Sequence, residues 1–119
     1  MSDVPSVELS GDVRAAISNA MVAAKKRHYG KGPTQARTYI EDDYVFCVMH
    51  EGLTANEETL LAHGEQELVR NYRLKFQQTQ REPLVAAVEE ITGRRVAGYT
   101  HQITFEPTRM FDIFVLESE

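Results

Sequence analysis

Tyr44-Val45-Phe46-Cys47-Val48-Met49 is apolar at every position, and β-branched and aromatic residues dominate it. Successive side chains of a strand point to opposite faces, so a strand that is hydrophobic on both must be covered on both. A layer of helices closes one face. The other calls for protein from beyond a single copy of the fold, and a second copy of the chain is the simplest cover. Tyr44, Phe46 and Val48 share a face and are the candidate interface residues. Cys47 lies among apolar neighbours and reads as a buried, inert thiol.

This strand is the second half of a hairpin: Ala36–Ile40 precede it, with the acidic turn Glu41-Asp42-Asp43 between. Before the hairpin, Val13, Ala16, Ile17, Ala20, Met21 and Ala24 recur at helical spacing, with Ser10 placed as N-cap. That helix stops at the basic run Lys25-Lys26-Arg27-His28, followed by Tyr29 and Gly30, since glycine just past basic residues marks a helix C-terminus. Residues 1–9 read as a flexible N-terminal arm and residues 10–119 as one domain.

After the hairpin, Thr54 and Glu57 form the two ends of a capping box. The spacing then predicts one long helix with a stripe of Leu61, Gly64, Leu68, Tyr72 and Phe76, kinked near Pro83 and continued by Leu84, Ala87, Val88 and Ile91 to Thr92-Gly93. Gly64 inside that stripe predicts close backbone packing and joins the candidate interface residues. A second hairpin, Val96–Thr104 and Met110–Leu116 around Glu106-Pro107, ends the chain. The order helix, hairpin, helix, hairpin predicts an α+β fold, a four-stranded antiparallel sheet with two helices packed on one face.

The chain has 119 residues, one cysteine and a net charge of −5. A single thiol excludes an internal disulfide and fits a reducing, cytoplasmic compartment. No stretch approaches the roughly 20 apolar residues of a membrane span, so direct membrane insertion is not expected. The acidic total argues against a nucleic-acid partner. The charge is segregated: residues 41–69 hold eight acidic and no basic groups, whereas residues 70–95 hold six basic and three acidic ones. Arg70, Arg73, Lys75 and Arg81 predict a basic surface for an acidic partner.

Gly30-Lys31-Gly32-Pro33-Thr34, with Arg37 just beyond, offers backbone donors, cations and a hydroxyl to an anion. It matches neither the phosphate-binding loop nor the dinucleotide fingerprint, because the spacings are absent and the segment leaves a helix instead of opening one. A helix stop followed by a tight turn explains it more simply. His50-Glu51-Gly52-Leu53-Thr54 begins like a zinc-protease helix but has Thr54 where the second histidine belongs. His28, His50, His63 and His101 fall in different elements, so neither a metal site nor a cofactor is expected. No convergent catalytic set is legible; a pocket gathering Arg37, His101 and a carboxylate would change that reading.

Gly30-Lys31-Gly32-Pro33 with Ala36-Arg37, Leu53-Thr54 with Glu57 and Leu60, Gly64, and Glu90-Ile91-Thr92-Gly93-Arg94 together resemble the bacterial MpsC-like family, catalogued as a domain of unknown function. The family is named for a sodium-translocating membrane-potential-generating system, and the resemblance runs from about residue 10 to the end. It implies a small soluble protein associated with a membrane system linked to membrane potential and inorganic-carbon supply, and it supplies no catalytic residues. The expected function is a non-enzymatic accessory or regulatory subunit, homodimeric, with a membrane-protein partner. The alternative is a sensor of a small anion (bicarbonate, phosphate or a nucleotide) at the Gly30–Thr34 turn.

Overall fold

A computed structural model describes residues 11–118; the arm at 1–9 and Ser10 lie outside the described residues. Helix α1 spans Asp12–Tyr29, followed by strands β1 (Gln35–Glu41) and β2 (Tyr44–His50). Three helices come next, α2 (Ala55–Ala62), α3 (Gln66–Thr79) and α4 (Arg81–Thr92), and then strands β3 (Val96–Thr104) and β4 (Arg109–Leu116). The strands form one antiparallel sheet in the order β1-β2-β4-β3, so the two hairpins join through β2 and β4 at its centre. The α+β class and the sheet are as expected.

Local chemistry sets the element ends. Gly30 takes a left-handed φ of 79° and its N–H bonds Lys26 O at 2.9 Å, stopping α1. At α2 the capping box is complete: Thr54 Oγ1 accepts from Glu57 N at 3.2 Å, and Glu57 Oε1 accepts from Thr54 N at 2.8 Å.

The expected long second helix is instead three helices. The first break falls at residues 63–65, where Gly64 has φ 79° and a side chain would meet nothing within 4 Å. Gly64 is therefore a turn residue required by left-handed backbone, not a point of close helix packing. The second break is at Gln80, three residues before Pro83, which sits in the first turn of α4 where its missing N–H has no helical partner to lose. Breaking at Gly64 also shifts the helical phase downstream. Val69, Arg73 and Gln77 face inward on α3, whereas Leu68 and Tyr72 from the expected stripe are 52% and 49% exposed.

The core lies between the helices and one face of the sheet. Ile17 and Met21 of α1 and Leu84 and Val88 of the fourth helix meet Val45, Cys47 and Met49 of β2 and Met110 and Phe114 of β4. The opposite face carries no layer from the described residues.

Candidate functional site

Two features of the sheet stand out, one on each face. On the helix-covered face the period of the buried positions brings charged residues into the core. Lys25 follows Ile17 and Met21 at four-residue steps, Arg73 and Gln77 follow Val69 in the same way, and Asp112 lies between Met110 and Phe114 in the strand alternation. All four polar residues are at most 1% exposed.

They satisfy one another. Lys25 Nζ donates to Asp112 Oδ2 at 2.6 Å, while Tyr99 OH donates to Asp112 Oδ1 at 2.7 Å and His101 Nδ1 lies 2.9 Å from the same oxygen. Gln77 Nε2 donates to Tyr99 OH at 3.0 Å, and Tyr29 OH donates to Gln77 Oε1 at 2.9 Å. The Arg73 guanidinium stacks 3.7 Å above the Tyr29 ring and grips Glu57 with Nε to Oε2 at 2.7 Å and Nη2 to Oε1 at 2.6 Å. One continuous polar path thus links α1, α2, α3, β3 and β4.

Burial by itself would raise the Asp112 carboxyl, but the Lys25 charge and the His101 contact outweigh it and hold the group well below the usual carboxylate range. Glu57 is lowered too, its burial outweighed by Arg73 and the Thr54 donors. Burial and then the Asp112 charge push the Tyr99 hydroxyl upward, which keeps it a donor. Burial also raises the Cys47 thiol, to about 11.

Composition and charge patterning do not reveal this network. They place Arg73 on a basic surface with Arg70, Lys75 and Arg81, yet it is fully buried. A signal is present in the sequence, because Lys25, Arg73 and Asp112 each occupy a core position of their element's period. Their partners are distant in sequence, however, and no local pattern pairs them.

On the open face, Tyr44, Phe46 and Val48 of β2 stand opposite Val115, Ile113 and Phe111 of β4. Tyr39 of β1 pairs with Phe46 and extends the band. Tyr39, Tyr44, Phe46 and Val115 are 51%, 55%, 36% and 38% exposed. Arg37 and Glu41 of β1 and Thr100 and Gln102 of β3 share this face through their pairings and flank the apolar centre. The structure therefore brings three of the four candidate interface residues together; Gly64 sits apart, beside Phe105 and Thr108 of the β3–β4 connection.

The candidate anion residues do not converge. Gly30 caps α1, Lys31 is exposed, and Gly32 packs against Lys26. Thr34 Oγ1 donates to Glu51 Oε1 at 3.2 Å, which sets a carboxylate where an anion was expected. Arg37 is on the open sheet face, opposite His101 and Asp112, so the pocket of Arg37, His101 and a carboxylate does not form. Arg94 works as a tether: its Nη2 donates to Asp43 Oδ1 and to Glu117 O, each at 2.7 Å. Among the described residues no cluster of histidine, cysteine and acidic side chains could hold a metal ion, and no helix is long and apolar enough to cross a membrane.

The family model described as "Na+-translocating membrane potential-generating system (MpsC)" matches residues 10–118. Comparison with curated proteins and with solved structures finds no match.

Proposed function

The chain belongs to the MpsC family, and on that basis we propose that it is a non-enzymatic, cytoplasmic accessory subunit of a membrane-potential or inorganic-carbon uptake system, working as a homodimer. The observation that carries this reading is the apolar band along β2 and β4 on the open face of the sheet. An aromatic and aliphatic centre with a polar rim is the anatomy of a protein interface. A second copy suits it because Arg37 and Glu41 lie on the same face of β1, four residues apart. A two-fold packing that runs the two β1 strands antiparallel sets each Arg37 against the partner's acidic position, giving a self-complementary rim.

The Gly30–Thr34 anion sensor is the weaker reading, because Thr34 is already bonded to a carboxylate.

Light scattering on the chromatographed protein tests the assembly. We expect a dimer mass at micromolar concentration and a monomer mass for Phe46→Arg with an unchanged circular dichroism spectrum. A monomeric wild type removes the proposal.

A further inference from the structure

The open sheet face is organised about one row of residues. Tyr39 of β1 pairs with Phe46 of β2, Phe46 with Ile113 of β4, and Ile113 with Thr100 of β3, so this row crosses all four strands. Residues two positions apart along a strand share its face, which puts the next row to one side at Arg37, Val48, Phe111 and Gln102. The next row to the other side is Glu41, Tyr44, Val115 and Gly98.

The two flanking rows are opposite in charge and in shape. On β1 the cation Arg37 and the acid Glu41 stand on either side of the central row. On β2 a projection answers a recess. Tyr44 is 55% exposed, whereas beside Val48 opens a hollow of about 550 Å³ lined by Gln35, Arg37, Tyr39, Val48 and His50. Farther out, Arg109 of β4 and Glu117 just beyond that strand lie four residues from Ile113 on either side and repeat the contrast of charge.

A two-fold axis lying along a row brings each flank of that row against the opposite flank of the other copy. We propose that the axis of the dimer runs along the row of Tyr39, Phe46, Ile113 and Thr100, so that Tyr44 of each copy inserts into the partner's hollow beside Val48. This rests on the homodimer reading above and adds to it the residues that meet. Sheets packed face to face keep their strands within about 30° of alignment, so positions near the axis oppose one another most closely. There each Arg37 meets the partner's Glu41, and each Phe111 meets the partner's Val115. Displacing the axis by one row in either direction sets like charges together, Arg37 against the partner's Arg37 or Glu41 against the partner's Glu41. A tyrosine filling a pocket near the centre of an interface is the usual form of a dominant contact.

Distances between spin labels on the full-length protein test the axis. Thr100→Cys, Gln102→Cys and Thr104→Cys change exposed positions, and Cys47 is buried, so only the new thiol takes the label. The distance between the two labels of a dimer should be shortest at position 100 and grow toward 104, since each step of two residues carries the labels roughly 13 Å farther apart along the strands. Tyr44→Ala should weaken dimerisation by about tenfold or more. Arg37→Glu and Glu41→Arg should each weaken it as well. A one-to-one mixture of those two variants restores both pairs across the axis and should associate as tightly as wild type to within about threefold. A wild-type dimer with its shortest distance elsewhere, a mixture no tighter than either variant alone, or an undisturbed Tyr44→Ala dimer would each overturn the axis and leave the homodimer standing. A wild type that stays monomeric ends both readings.

Discussion

The Lys25 ammonium donates to Asp112 Oδ2 at 2.6 Å with side chains only 1% and 0% exposed, joining the C-terminal half of α1 to the middle of β4 across 87 residues of sequence. Removing both charges from water is expensive, so such a pair is weak evidence of net stabilisation. Removing one partner is another matter, since it strands the other.

Lys25→Met should therefore cost about 3–5 kcal/mol in urea unfolding, because the buried Asp112 carboxylate loses the ammonium that offsets its burial. The exposed pair of Arg70 and Glu67 supplies the contrast: Arg70→Gln should cost less than about 1 kcal/mol. Equal losses for the two substitutions would contradict the burial argument.

Stability should fall on acidification. Asp112 and Glu57 both have folded-state values below their unfolded ones, so their contribution is complete above the unfolded carboxylate range of roughly 4 and is lost as pH drops through the folded values. Urea midpoints measured from pH 7 downward should hold until about pH 4–5 and then decline. Asp112→Asn should be less stable at neutral pH and show a shallower acid decline. A wild-type midpoint that stays flat to pH 2 would refute this.

Gly52 and Gly64 both have positive φ, 97° and 79°, but their surroundings differ. A Cβ on Gly52 would lie 3.0 Å from Pro33 N and 3.1 Å from Met110 Cε, whereas one on Gly64 meets nothing within 4 Å. Gly64→Ala should cost about 1–2 kcal/mol from backbone strain alone. Gly52→Ala adds a clash with backbone that cannot turn aside, for a total of about 2–4 kcal/mol. Thermal unfolding of the pair measures the order, and its reversal would show that Pro33 yields.

Cys47 is 0% exposed, and its thiol is raised to about 11, so little thiolate forms at pH 8. Iodoacetamide should leave the native protein unmodified and label it promptly in urea, as read by intact mass. Rapid labelling of the native protein would reveal local opening of the central strand.

Short-range chemistry is readable from residues alone. The glycine stop at Gly30, the Thr54–Glu57 box and the all-apolar run at 44–49 each act within a few neighbours, so inspection of the chain locates α1, the start of α2 and the centre of the sheet. The breaks at Gly64 and Gln80 are harder to see. The helical period continues through both, and only the packing of α2, α3 and α4 against different partners makes interruption favourable.

The amino-acid order thus specified an α+β chain with an antiparallel sheet, because periodicity and capping are properties of adjacent residues. It also marked β2 as hydrophobic on both faces. Which face the helices would leave open, and that Lys25, Arg73 and Asp112 would turn inward as partners instead of outward as surface charge, came from the three-dimensional arrangement. A buried charge is tolerable only beside its counter-charge, and that neighbour exists only once distant segments have come together.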